Sequence, residues 1–448
     1  MTLNILIIDE GDFALDWVLR CLKVGHKIKW FLRPDKDGTS LVGDGFPGIE
    51  KVKDFEKVIQ SGWPDLIMQT DNVRYCQILD RYRANIPIIG PSFEAQQLEH
   101  DRVHGMKVLN KAGIKTPKFH AFSNYDEAEK FIRAECKKDP TRRFVSKPSG
   151  DADKALSYCS KNAADMITMF NRWRKTKPKD ALPFLLQEFV AGVEMAVGGW
   201  FGPNGFNKHF FENFEFKKLM ADDLGPSTGE MGTIGKYVTK SKLADTVLKP
   251  LVKQLKAMGY VGYIDVNCII SEGEVHPLEF TARFGWPCFQ LQSSMHKGDP
   301  ASWLESLWDG QDTLSVSTDV VCGVVITIPD YPYSKLTSKM TAGFPIWGVD
   351  MRNNNFHPSQ VMLSTAHCML EGKLVDDMPC MVTAGDYVAT ITGQGKTVKG
   401  AMQSAYSLVE KIHMPNSMMY RNDIGRRLRE ELPELHEYGF AKEFSYNG

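Results

Sequence analysis

Apolar residues cluster in short runs along the first hundred positions. "LNILII" at residues 3–8 reads as a strand buried on both faces. "ALDWVLRCLKVG" follows with apolar positions at helical spacing and a terminal Gly25. "KIKWFLR", "PDLIMQT" and "IPIIGPS" are further short apolar runs with Pro or Gly between them. This alternation predicts a small open α/β domain over residues 1–100. Residues 94–112, "EAQQLEHDRVHGMKVLNKA", predict one helix stopping at Gly113. "RFVSKPSGDADK" predicts a strand ending in a loop. "PFLLQEFVAGVEMAVGGWF" predicts a strand, a connector and a second strand. "YVGYIDVNCIIS" and "EVHPLEF" predict a hairpin. From about Thr318 the pattern becomes strands, then the helix "TVKGAMQSAYSLVEKI" and a polar, helical, then loose tail from about Arg426. The expected division is 1–100, a middle domain 101–310 with a lid subdomain about 119–190, and a C-terminal domain 311–448. No internal repeat or low-complexity linker is evident.

Composition narrows the class. The 448 residues exceed one compact core, and the formal net charge is −1. That balance argues against a general nucleic-acid coat. No apolar run approaches the ~20 residues of a membrane helix, and the N-terminus lacks the basic start of a signal peptide. Nine scattered cysteines without a CxxC pair fit a reducing cytoplasm.

Three stretches carry candidate chemistry. In "FVSKPSG", Lys147 ends an apolar strand before a Pro-Ser-Gly loop, where a lysine reaches phosphate oxygens; a solvated strand-end lysine is the plainer alternative. In "LLQEFVAGVEM", backbone groups of Glu188 and Val190 could meet an adenine edge, and Glu194 could accept ribose hydroxyls; an ordinary hairpin with solvated acids is the alternative. In "YIDVNCIISEGEVHPLEFTARFG", Asp265 and Glu279 lie on neighbouring strands among apolar residues. Two such acids repel unless a cation joins them, and hard oxygen ligands suit Mg²⁺ on ATP phosphates. The alternative is one edge acid and one acid paired with Arg283.

Those three signals occur in the order of the ATP-grasp fold, and the whole chain resembles glycinamide ribonucleotide synthetases. The resemblance is carried by "IIGPSFEAQQLEHDR", "GIKTP", "LLQEFVAGVE", "LGPSTGEMGT", "GYVGYIDVNCII", "LEFTARFGWP" and "RNDIGRR". It implies an α/β and α+β multidomain ligase: an N-terminal open α/β domain, an ATP-grasp unit and a small C-terminal domain. It implies ATP with Mg²⁺ (or Mn²⁺), an acyl-phosphate intermediate and an amide product. By the same resemblance Arg102, Lys107, Lys147, Glu188, Val190 and Glu194 would bind ATP, and Asp265, Glu279 and Thr281 the metal. Lys154 would assist phosphoryl transfer, and Arg283 would hold the carboxylate substrate. Ser227, Thr228 and Gly229 of "GPSTGEMG" would touch substrate.

The chain also departs from the family. The glycine-rich loop carrying Gly-Gly-Arg-Glu-His, which binds the phosphate of phosphoribosylamine, is replaced by "IIDEGDFALDW". Asp9, Glu10 and Asp12 there suit a cation better than a phosphate. Trp286 and Cys288 replace acids beside the proline, and Trp286 offers a flat wall to substrate. Thr281 stands where the family has a metal-ligating Asn, and the loop "PSGDADKAL" has fewer glycines. The expected function is a carboxylate–amine ligase joining an amino acid such as glycine to an amine other than phosphoribosylamine, free or on a modified nucleotide. A true phosphoribosylamine–glycine ligase and a non-catalytic ATP-binding scaffold are the alternatives. The expected partners are small-molecule acids and amines, nucleic acid only as a modified-nucleotide acceptor, and no membrane, in a monomer or homodimer.

Overall fold

The computed structural model describes residues 2–34, 38, 40–149, 157–176, 183–336, 338–349, 352–415 and 417–447. The N-terminal runs form a five-stranded parallel sheet from β1 (Asn4–Asp9), β2 (Lys27–Leu32), β3 (Ile49–Lys51), β4 (Leu66–Gln69) and β5 (Ile88–Ile89), in the order β3-β2-β1-β4-β5. Central β1 is buried on both faces, as its unbroken apolar run predicts. The loop after β1 therefore opens at the carboxyl edge of the sheet, where α/β proteins place ligands.

Residues 94–112 are not one helix. They split into Phe93–His100 and Arg102–Lys111 at Asp101, whose carboxylate caps the second helix by accepting from the His104 N–H. A local cap thus overrides the continuous apolar periodicity. A Cβ at Gly105 would strike the Leu98 carbonyl, so glycine lets the two helices cross closely.

Within the stretch expected to form a lid lies a four-stranded sheet of β6 (Phe119–Phe122), β7 (Phe144–Pro148), β8 (Tyr158–Cys159) and β9 (Phe184–Glu188), ordered β6-β9-β7-β8. Helices Tyr125–Lys138 and Ala163–Thr176 cover it around a core of its own that includes Ile132, Phe144, Phe170, Trp173 and Phe184. This separate core lets the lid hold its shape apart from the rest.

The central element is an antiparallel sheet of eight strands: β10 (Val193–Gly202), β11 (Gly205–Glu215), β12 (Gly232–Val238), β13 (Gly262–Ser271), β14 (Glu274–Thr281), β15 (Val320–Thr327), β16 (Phe356–Pro358) and, further on, the strand Tyr387–Gly395. Between the last two lies a long hairpin of β17 (Val361–Leu370) and β18 (Lys373–Thr383), so Tyr387–Gly395 is β19. The order is β14-β13-β10-β11-β12-β15-β19-β16, and β12 pairs directly with β15. The sheet thus runs across the boundary expected at residue 310. The tail is not loose. Phe440 and Phe444 are buried, and the N–H groups of Val398 and Lys399 donate to the carbonyls of Ser445 and Tyr446. Among the described residues, no helix is long and apolar enough to cross a membrane.

Candidate functional site

Strand register builds one charged face. Asp265 pairs with Thr281, and Asn267 with Glu279. On the other side of β13, Gly198 pairs with Asp265 and Glu194 with Ile269. Paired residues share a face and side chains alternate. Glu194, Asp265, Asn267, Glu279 and Thr281 therefore project to the same side.

Among the described residues, Lys217, Arg102 and Lys147 meet that face. Lys217, just beyond β11, places Nζ 2.8 Å from Glu194, 3.1 Å from Glu215 and 3.3 Å from Glu279. Arg102, one residue past the Asp101 cap, donates to the other Glu279 oxygen at 2.6 Å. Lys147, at the end of β7 in the lid, donates to the Leu278 carbonyl at 3.1 Å. Burial pushes the Glu279 carboxyl up, but Lys217, Arg102 and Lys147 outweigh it and hold the group well below the usual carboxylate range. Burial likewise opposes the charge on Lys217, yet Glu194, Glu215 and Glu279 hold its ammonium well above the usual range. Lys147 has no comparable set of acids, and burial lowers it to about 8 against the pull of Glu279. Glu279 thus faces cations of the chain itself.

Lys217 and Glu215 were missed by the sequence reading. Their signal is the alternation in "NFEFK", where Phe214 and Phe216 are buried, Glu215 falls between them and Lys217 follows. The position of Lys217 is fixed by the following loop: both the N–H and the hydroxyl of Thr228 donate to the Lys217 carbonyl at 2.8 Å, and Ser227 bridges to Lys218. Gly229 is exposed, with open space where a Cβ would stand. Glu230, also missed, is buried beside this cluster, and burial first and Glu215 second push its carboxyl well up.

Asp265 and Glu279 lie on neighbouring strands and project to the same face. The residue opposite Glu279 is Asn267, and Asp265 is opposite Thr281, whose hydroxyl it meets. Burial and then Glu215 push Asp265 well up, which disfavours the charge a metal ligand needs. Asp265 Oδ1 and Asn267 Oδ1 are buried without hydrogen-bond partners. Among the described residues, no three His, Cys, Asp or Glu side chains form a metal-holding group. The oxygen donors of Glu279, Asn267 and Thr281 nevertheless fit Mg²⁺, which takes few protein ligands beside phosphates.

The other expected residues are distributed as follows. Glu188 ends β9; its N–H donates to the Lys118 carbonyl, and its carboxylate lies 3.4 Å from Arg142. Val190 lies in the connector from β9 to β10. Lys107, five residues beyond Arg102 on the same helix, is exposed. Lys154 lies outside the described residues. Arg283 donates through Nε to Glu99 at 3.2 Å and through Nη1 to the Phe284 carbonyl, so part of its fork is already engaged.

The three acids at and just past the end of β1 are not a solvated cation trap. Asp9 is fully buried; it accepts from the Ala14 N–H and from the Thr70 hydroxyl, each at 2.9 Å. It is corrected from a substrate ligand to a residue that ties the loop to the start of helix Leu15–Lys23. Glu10 accepts from the Arg74 N–H, with the guanidinium 3.6 Å away. Asp12 is half-buried at φ +59°. Trp286 packs 5.7 Å from both Phe13 and Phe289.

The family description "Phosphoribosylglycinamide synthetase, ATP-grasp (A) domain" matches residues 101–288, and "Phosphoribosylglycinamide synthetase, C domain" matches 321–427. The chain is 26% identical to the phosphoribosylamine–glycine ligase of Caldanaerobacter subterraneus, covering 92% of this chain and 91% of that protein. It is 25% identical to that of Chlorobaculum tepidum, covering 95% and 100%. Among solved structures, the phosphoribosylamine–glycine ligase of Thermotoga maritima superposes with a TM-score of 0.67 at 21% identity, over 94% of this chain and 100% of that one. Biotin carboxylase of Campylobacter jejuni superposes with a TM-score of 0.61 at 12% identity, over 98% and 97%. These structural likenesses are of fold.

Proposed function

Because the chain belongs to the phosphoribosylglycinamide synthetase-like ATP-grasp ligases, we propose that it joins a small amino acid, glycine first, to an amine at the expense of ATP. The observation that carries this is the convergence of Arg102, Lys147 and Lys217 on Glu279 across the lid and the central sheet. Phosphoryl transfer is mainly positioning and charge neutralisation. The three cations would bind phosphate oxygens of ATP, with Glu188 and Val190 at the adenine edge and Glu194 at the ribose. Glu279, Asn267 and Thr281 would hold Mg²⁺ or Mn²⁺, which supplies further positive charge at the β- and γ-phosphates.

Arg283 would orient the acid. A carboxylate oxygen takes the γ-phosphoryl group, the bond to the β-phosphate oxygen breaks, and ADP leaves. The amine nitrogen then bonds to the acyl carbon, the carbon–oxygen bond to phosphate breaks with its electron pair, and the nitrogen loses a proton. The lid limits hydrolysis of the acyl phosphate by excluding water.

The relatives' names make phosphoribosylamine the first acceptor to test. A second reading, an amine without phosphate, is favoured by Asp9. Its carboxylate already takes the Ala14 N–H at the start of helix Leu15–Lys23, where a substrate phosphate would otherwise find backbone donors. The ligase proposal is tested with ATP, Mg²⁺, each amino acid and hydroxylamine, which traps acyl phosphates as hydroxamates. Glycine hydroxamate with equimolar ADP supports it. ATP binding without ADP release from any acid favours a scaffold instead.

A further inference from the structure

The backbone that carries Lys217 is held from the far end of the chain. Arg427 donates through Nη2 to the Glu215 carbonyl at 2.8 Å, and Arg421 through Nη1 to the Lys218 carbonyl at 3.1 Å. In sequence, 212 and 203 residues separate these partners. The Lys217 carbonyl between them is taken by Thr228. The buried ring of Phe216 has the Arg427 guanidinium 4.0 Å and the Arg421 guanidinium 5.2 Å from its centroid.

Arg421 is itself fixed. Its side chain is 1% exposed. Nε and Nη2 donate to the two oxygens of Asp423 at 2.8 and 2.7 Å, and Nη1 also reaches Asp223 at 2.9 Å. Asp423 in turn accepts from the Asp222 N–H at 2.9 Å. Asp222 and Asp223 stand at φ +56° and +54°, a conformation that costs free energy outside glycine and persists only where the surroundings impose it. A planar fork engaged on all its nitrogens leaves the loop it grips little freedom. The grip falls on main-chain carbonyls and on an aromatic ring, so it reaches the Lys217 ammonium through the backbone between.

We propose that Arg421 and Arg427 are positioning residues: they fix the main chain on both sides of Lys217 and so aim its ammonium at the place beside Glu279 where a phosphate oxygen would bind. This rests on the phosphate role of Lys217 proposed above. A cation already in place when the nucleotide arrives needs no reordering on binding. Loosening the grip therefore lowers affinity by the freedom that Lys217 regains. The C-terminal segment thereby serves the nucleotide site without touching the nucleotide.

The test is a double-mutant cycle on the binding of a non-hydrolysable ATP analogue with Mg²⁺, read by isothermal calorimetry on the full chain. Lys217→Met should weaken binding by about 100-fold. Arg427→Gln should weaken it by about ten-fold when Lys217 is present and by less than about two-fold in the Lys217→Met background, because a residue that acts through another then has nothing left to position. Arg421→Lys keeps the charge but cannot span Asp423, Asp223 and the Lys218 carbonyl, and it should show the same dependence on Lys217. A purely structural role gives equal losses in both backgrounds, and misfolding lowers the binding stoichiometry rather than the affinity. Equal losses in the two backgrounds for either variant, or no loss where Lys217 is present, overturn the positioning role while leaving the phosphate role of Lys217 intact. An unchanged affinity in Lys217→Met overturns both.

Discussion

Lys217 Nζ and Glu279 Oε1 lie 3.3 Å apart, although 62 residues separate them in sequence. One ammonium also serves Glu194 and Glu215, so a single side chain bridges three carboxylates. Removing one partner of a buried ion pair leaves the others uncompensated, at a cost of about 3–5 kcal/mol; partial exposure at this site discounts that to about 2 kcal/mol. Lys217→Met should therefore lower stability by about 2 kcal/mol in urea titration without nucleotide, with the loss shrinking when Mg²⁺ is added.

Arg102 and Lys107 share one helix and differ in what they reach. Arg102→Met should weaken ATP binding by about 100-fold, as expected for a charge-assisted phosphate contact. Lys107→Met should leave it within about two-fold. Isothermal calorimetry with a non-hydrolysable ATP analogue measures both.

Lys147 gives a pH dependence with a definite sign. Its folded value of about 8 lies below that of an ordinary lysine, so the folded chain releases this proton before the unfolded chain does. Its charge therefore costs stability at low pH, and stability rises as pH climbs from about 8 to the ordinary lysine range. Phosphate needs the charged form. ATP affinity should fall above pH 8, and binding there should take up protons, seen as a buffer-dependent heat. Lys147→Met should abolish the uptake.

How far the sequence was legible can be judged at particular residues. The parallel sheet, the β13–β14 hairpin and Lys147 follow from local apolar runs and their punctuation, because those signals sit within a few residues of each other. The partner of Glu279 does not. Whether it is Val266 or Asn267 is decided by a register shift between Asn267 and Cys268 in the β13–β14 ladder, and a one-residue slip changes every pairing. Lys217 escaped notice because its three partners come from three strands. Asp9 was misjudged because a loop acid and a helix-capping acid look alike until the fold places the Ala14 N–H beside one of them.

That distinction is itself testable. Asp9 contacts protein on both oxygens, and because the Thr70 hydroxyl also reaches the Ile8 carbonyl, Asp9→Ala should cost about 1–2 kcal/mol, chiefly through the unmet buried Ala14 N–H. Differential scanning calorimetry should show a fall of several degrees in Tm.

Transfer of the γ-phosphoryl group of ATP onto a carboxylate oxygen is read most directly with oxygen-18 in the carboxyl group of the acid. Turnover with ATP, Mg²⁺ and the preferred amine should release ADP and inorganic phosphate in which one oxygen per molecule derives from the acid, and Glu279→Gln should slow this by about 100-fold or more. Inorganic phosphate free of label, or label appearing in AMP, would contradict phosphoryl transfer at this face.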